Sequence, residues 1–208
     1  MAARITRTLS GSNELKLCDC VLAQMNDSTK KRPLLILDLD ETLIFGSGRE
    51  LDRPCDFRVG PFFFYERPYL GSFLDSANEH FDLAIWSSAT DGYVAGIASH
   101  LTKQQGVEWI FVWSRHKCVQ RMDMEWLDTI YIKDLKKLKR FGYPKERILI
   151  VDDTRRKVSR NYGNAIYPSP FEGDINDDEL KRLEKYLIRI NGEPNYRKLE
   201  KRGWRNQT

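Results

Sequence analysis

Four short runs, almost wholly apolar, mark the chain, and each is followed by polar residues. Leu34–Leu37 precedes Asp38, Asp82–Trp86 precedes Ser87, Ile110–Trp113 precedes Ser114 and Arg115, and Ile148–Val151 precedes Asp152 and Asp153. Runs of this length without polar alternation suit strands covered on both faces. A weaker run, Ala165 to Tyr167, ends at Pro168. Between the runs the apolar spacing turns helical: Leu70, Phe73, Leu74, Ala77 and Phe81, then Val94, Ile97, Ala98 and Leu101. A last helix carries the stripe Leu180, Leu183, Leu187 and Ile190, with Asn176 and Asp177 as capping candidates. Strands alternating with helices predict an α/β fold, a Rossmann-like parallel sheet flanked by helices.

Residues 33–190 read as one domain. Residues 1–32 read as a peripheral segment, with a short helix over Glu14 to Met25 and a polar linker from Asn26 to Arg32. Residues 191–208 read as a basic, partly disordered C-terminal tail. The aromatic stretch within Gly60 to Tyr65 offers one strand of a small β flap.

Composition changes this picture little. The chain has 208 residues, 41% of them hydrophobic and 31% charged, as in a globular domain. No stretch approaches the roughly 18 apolar residues of a membrane span, and Met1 to Ser12 lacks the apolar core of a signal peptide. These readings predict a cytoplasmic location, or the nucleus of a eukaryote, and no membrane partner. A net charge of +4 permits a phosphorylated partner without demanding one. The basic residues do cluster, in Lys133 to Arg147 and in Arg155, Arg156, Lys157 and Arg160, which by themselves read as a solvated face. Cys18 and Cys20 lack the further ligands of a zinc site and read, with Cys55 and Cys118, as reduced thiols.

The candidate chemistry lies where the strands end. In open α/β sheets, ligands bind in the crevice at the carboxyl ends of the strands, and there the chain delivers Asp38 and Asp40, Ser87 and Ser88, and Asp152 and Asp153. Clustered carboxylates repel one another and a phosphate unless a divalent cation neutralises them, and hard oxygen donors favour Mg²⁺. A carboxylate can itself act as the nucleophile, with a lysine and a hydroxyl stabilising the transferred group. Taken singly, each residue has a plainer role as a turn former, a helix cap or a surface charge. It is their order and spacing together that point to phosphoryl transfer. A receiver domain would place the acidic pair first and the acceptor aspartate later, the reverse of the order here.

The segment Asp38-Leu39-Asp40-Glu41-Thr42 resembles the first signature of the haloacid dehalogenase superfamily. Glu66-Arg67-Pro68 through Leu74, Trp86-Ser87-Ser88-Ala89, Tyr131 through Leu135, Ile148 through Asp153, and Asn176 through Leu180 extend the resemblance. The match is to the branch of small phosphatases acting on the carboxyl-terminal domain of RNA polymerase II and similar phosphoproteins. The resemblance implies that Asp38 is the nucleophile and that Asp40 is the acid and base, its backbone carbonyl helping to hold Mg²⁺. It implies Ser87, Ser88, Lys133 and Arg115 at the phosphate, and Asp38, Asp40 and Asp153 around the metal. Asp152 would orient Lys133, Thr42 would steady the loop, and Tyr93 would border a peptide groove. Ser87 stands where the branch often has threonine, and Val119 to Thr129 is longer than usual at the rim of the site.

About 45 residues separate Thr42 from Ser87, and as many separate Ser88 from Lys133, too few for a large cap domain besides the elements already named. An open site follows, suited to phosphate on a macromolecule. The expected activity is a Mg²⁺-dependent phosphoserine/phosphothreonine protein phosphatase. The alternatives are a phosphatase for nucleic-acid ends, suggested by the lysine-rich stretch and the basic tail, and a non-catalytic phosphopeptide-binding module.

Overall fold

A computed structural model describes residues 31–125 and 127–207. The expected helix at 14–25, Cys18 and Cys20 lie outside the described residues. Five strands form a wholly parallel sheet in the order β10-β9-β1-β5-β6: β1 (Leu34–Leu37), β5 (Asp82–Trp86), β6 (Val112–Trp113), β9 (Ile148–Val151) and β10 (Ala165–Ile166). The chain runs outward from β1 through β5 to β6, then returns to the other side of β1. The sheet therefore reverses direction of winding between β1 and β9, where a crevice opens. β6 is shorter than the apolar run suggested. As an edge strand it has a single neighbour, and Ile110 and Val112 are both about two-fifths exposed.

Alternate residues of β1 enter two separate cores. Leu35 and Leu37 pack with all three α-helices of the described residues: α1 (Leu70–His80), α2 (Asp91–Gln105) and α3 (Glu179–Ile190). Leu34 and Ile36 face the other way, onto Trp86, Trp113, Leu135, Leu138 and Val158. That second face is covered by 3-10 segments, Leu135–Phe141 and Arg155–Asn164, where the basic residues lie.

Between β1 and α1 stands the flap, a three-stranded antiparallel sheet of order β2-β4-β3: β2 (Ile44–Ser47), β3 (Phe57–Val59) and β4 (Phe62–Glu66). It rests on α2. Phe57 stacks on His100 at 3.8 Å, and a Cβ at Gly96 would lie 2.5 Å from Val59, so a larger residue there would push the flap away. Among the described residues the flap and the elements above fill both signature intervals without a large cap, as expected.

The long Val119 to Thr129 segment is mostly a hairpin, β7 (Val119–Asp123) with β8 (Asp128–Ile132), and β8 leads directly into Lys133. The basic C-terminal stretch is not a loose tail. Tyr196 and Trp204 are buried in the helix-side core, the Trp204 indole N–H donates to Tyr167 O at 3.1 Å, and Arg205 pairs with Glu179. Two aromatic anchors among many charges escape a reading based on average polarity.

Candidate active site

The strand register sets the site level. Leu37 stands opposite both Ile85 and Val151, and the ladder continues one residue further, with Asp38 N–H on Val151 O at 3.0 Å and Asp152 N–H on Ile166 O at 3.2 Å. Asp38, Ser87 and Asp152 consequently emerge side by side at the carboxyl edge. Beyond Asp38 the chain turns tightly. The N–H groups of Thr42, Leu43 and Ile44 all converge on Leu39 O at 2.9 to 3.2 Å, with Glu41 in the left-handed region at φ 60°. The buried Thr42 hydroxyl lies 3.4 Å from Asp153 Oδ1 and accepts the Asp153 N–H at 3.3 Å, tying the turn to the end of β9.

Asp38, Lys133 and Asp152 form a buried chain of charges. Lys133 Nζ lies 2.9 Å from Asp38 Oδ1 and 2.6 Å from Asp152 Oδ2, and none of the three is more than 1% exposed. Asp38 Oδ1 also accepts the Leu39 N–H at 2.9 Å. Burial alone would raise the Asp38 carboxyl. The Lys133 and Lys157 ammonium groups outweigh burial and hold it below the usual carboxylate range, so it is ionised. Burial opposes the charge on Lys133, but its two carboxylate partners prevail and keep it a cation. Burial pushes Asp152 up to about 7 against the pull of Lys133. Its second oxygen accepts the Thr154 N–H at 2.9 Å, which fixes the carboxylate that orients the lysine.

The second face of the sheet positions this lysine. Lys133 N–H donates to Lys157 O at 2.7 Å, and the Asn161 side-chain amide donates to Lys133 O while accepting the Leu135 N–H at 3.2 Å. The segment Arg155–Asn164 thus grips Lys133 from both sides. It also brings a residue that the sequence reading left among solvated charges: Lys157, whose Nζ lies 3.5 Å from Asp38 Oδ2. Its place in a basic run concealed it.

Asp40 stands beside this chain rather than within it, its carboxylate accepting a hydrogen bond from the Tyr93 hydroxyl. Burial raises its pKa; the Tyr93 bond counters this and the nearby Asp38 charge adds to it. Gly46 makes room for Tyr93, since a Cβ there would come within 2.7 Å of the hydroxyl. Ser87 is buried and its Oγ accepts the Ala89 N–H at 3.0 Å, leaving the hydroxyl proton to donate. Ser88 contributes its carbonyl, which accepts from Arg115 Nε at 2.7 Å. The Arg115 guanidinium lies over Tyr131 at 4.6 Å and lines an open groove of about 450 Å³ with Thr90, His116 and Gln120. Thus Asp38, Asp152, Asp153, Lys133 and Thr42 are joined directly, Asp40 adjoins them through charge, and Ser87, Ser88 and Arg115 form the neighbouring wall.

Carboxylate oxygens of Asp38, Asp152 and Asp153 lie within 4.8 Å of one another. A set of hard oxygen donors so close together fits a divalent cation. Buried Arg67, quoted in the sequence only as part of a motif, clamps the surroundings. It holds Asp177 through Nε and Nη2, both at 2.8 Å, and donates to Thr42 O at 3.0 Å and Ser169 O at 2.9 Å. Asp177, expected as a cap, also accepts the Glu179 N–H at 2.9 Å.

Residues 33–197 match the model of the NLI interacting factor-like phosphatases. The chain belongs to this family. It is 28% identical over 188 residues to CTD small phosphatase-like protein 1 of Caenorhabditis elegans, covering 86% of this chain and 35% of that relative. It is also 28% identical to ubiquitin-like domain-containing CTD phosphatase 1 of Xenopus tropicalis, over 80% of this chain and 52% of the relative. The chain therefore spans between about a third and about half of these relatives' length. The solved structure of Fcp1, an essential RNA polymerase II CTD phosphatase, superposes with a TM-score of 0.54 at 21% identity, over 86% of this chain and 55% of that one. The likeness identifies the fold as that of haloacid dehalogenase-type phosphatases, as the first signature implied. No helix among the described residues is long and apolar enough to cross a membrane.

Proposed function

We propose that this family member is a phosphomonoester hydrolase that works through an aspartyl-phosphate on Asp38, on phosphoserine or phosphothreonine in proteins. The observation that carries the reading is the ionised, buried Asp38 held by Lys133 at the level ends of β1 and β9. An Asp38 oxygen attacks phosphorus as the bond to the leaving oxygen breaks, and protonated Asp40 supplies that oxygen's proton. Water then attacks the acyl phosphate, Asp40 takes the water's proton, and inorganic phosphate leaves with Asp38 restored. Ser87 donates to a phosphate oxygen, and Lys133 offsets charge on phosphate and nucleophile. Asp38 and Asp153, with the Asp40 carbonyl, would hold Mg²⁺, while Asp152 stays on Lys133. The metal's contribution when bound is to neutralise the charge of phosphate approaching carboxylate.

An open groove beside Arg115, with no large cap among the described residues, suits a phosphate carried on a polypeptide. The relatives bear the names of CTD phosphatases, which favours phosphoprotein over nucleic-acid ends. The test is hydrolysis of an aryl phosphate at mildly acidic pH, with and without Mg²⁺, by the wild type and Asp38→Asn. Metal-dependent turnover that vanishes in the variant is expected, and turnover surviving in a folded Asp38→Asn protein overturns the mechanism. Phosphopeptide and 3′-phosphorylated oligonucleotide are then compared, and activity on the oligonucleotide alone overturns the substrate class.

A further inference from the structure

The two lysines at Asp38 are not equivalent. Lys133 has a fully buried side chain and two short contacts, and it holds Oδ1 together with the Leu39 N–H. Lys157 reaches only Oδ2, at a looser 3.5 Å, with its side chain 23% exposed. Its ammonium interacts most strongly with Asp38, then Asp152, Asp153 and Asp40, the carboxylates around the candidate metal position. Since Oδ1 already carries two donors, Oδ2 is the oxygen most open to a new partner, and Lys157 covers it.

We propose that Lys157 is a tethered counter-ion that occupies the acidic cluster in the metal-free protein and must swing away for Mg²⁺ to enter. The inference rests on the metal-dependent reading of the site given above. Fully ionised, the three clustered carboxylates exceed the charge of Lys133 by two. A divalent cation would fill that deficit, and the Lys157 ammonium fills half of it. Lys133 is held on Asp38 Oδ1 and Asp152 and leaves Oδ2 for a metal, but the Lys157 ammonium stands at Oδ2 itself, and two cations at one oxygen repel too strongly to share it. The geometry allows the exchange. The backbone of Lys157 is anchored, its N–H on Thr154 O at 3.0 Å and its O accepting from Lys133, so only the side chain has to move. Its partial exposure gives the ammonium a way out to water. By screening the carboxylates from one another, Lys157 keeps the site assembled before metal arrives, at the expense of metal affinity.

The experiment is calorimetric titration of the full chain with Mg²⁺ in phosphate-free buffer, for wild type, Lys157→Met and Lys157→Arg. Methionine keeps the length of the stem and removes the charge. Lys157→Met is expected to bind Mg²⁺ about tenfold more tightly, a modest gain because the ammonium it removes is already partly solvated. Its Tm without metal falls, and Mg²⁺ raises it by more than in the wild type, which confirms a folded variant with a more repulsive cluster. Lys157→Arg, which retains the charge, gains no affinity. Wild-type binding with an equal or weaker affinity in Lys157→Met overturns the competition and leaves the metal-dependent reading intact. Equal gains in the Met and Arg variants overturn it as well, because the effect would then not be one of charge. Absence of Mg²⁺ binding in every protein overturns both this inference and the metal-dependent reading.

Discussion

The two faces of the central sheet are built by different rules. One face carries three amphipathic helices on a continuous apolar core that includes Leu35, Leu37, Leu183 and Leu187. The other carries 3-10 segments and a hairpin, and its core of Leu34, Ile36, Trp86 and Leu138 lies under a dense layer of lysine and arginine. The helix face is scaffold. The irregular face holds both site lysines, because a short, tightly bonded segment can aim a side chain into the crevice that a long helix would carry past it. The difference predicts that mutations on the two faces separate stability from chemistry.

The sharpest break is expected at Lys133. Lys133→Met leaves Asp152 buried without its cation and Asp38 with only the looser Lys157, a change that costs roughly 3–5 kcal/mol when one partner of a buried pair is removed. Turnover should vanish with it. Urea unfolding measures the loss, which should shrink as pH falls. An unpaired buried carboxylate binds its proton more tightly folded than unfolded, so acid favours the folded variant. Lys157→Met, losing a looser and partly exposed contact, should cost less than about 1 kcal/mol.

Nearly as large is the effect expected of Trp204→Ala on the helix face, roughly 3–5 kcal/mol for a fully buried indole. Its kcat should stay near that of the wild type, because Trp204 reaches no site residue. A C-terminal stretch that only decorated the surface would leave the urea midpoint unchanged.

The same contrast explains what could be read in the sequence. β1, β5 and β9, with the three helices, were legible because buried strands and amphipathic helices impose apolar periodicity. Asp38, Asp40, Ser87, Asp152 and Asp153 could be picked out as candidates because they follow those strands at fixed places, whereas Lys133 was reached only through the resemblance of its segment, Tyr131 to Leu135. The strands β2 and β3 and the hairpin escaped notice, since partly exposed strands lack a continuous apolar run and Met122, Met124 and Leu127 are exposed. Lys157 and Arg67 were hidden for another reason. Their roles depend on partners far away in the chain, Asp38 for one and Asp177 for the other, and local composition records only a charge.

A matched pair sharpens the comparison at smaller amplitude. Leu183→Ala on α3 and Leu138→Ala in the 3-10 segment each remove a fully buried leucine and should each cost roughly 2–5 kcal/mol. Only Leu138→Ala should also lower kcat, because Leu138 underlies the turn that follows Lys133. Steady-state kinetics well below both melting transitions separate the two, and equal kcat values would show that the irregular face is scaffold as well.

The smallest effect is expected where the flap meets the helix face. Tyr93, on α2 beneath the flap, donates to Asp40, and that bond favours the ionised carboxylate against the burial that raises its pKa. Tyr93→Phe removes the donor and leaves the ring contacts with Phe62 and Phe64 in place. The Asp40 pKa then moves further up. In the proposed mechanism Asp40 is protonated to release the leaving group, so activity in that step should fall as pH rises through its pKa, and the basic limb of the pH–kcat profile should move to higher pH. Turnover near the optimum should change by less than about tenfold, because every group in direct contact with phosphate is retained. A basic limb that stays in place, or moves to lower pH, would mean that Asp40 does not supply the rate-limiting proton. The hydroxyl bond would then serve only to hold the flap against α2.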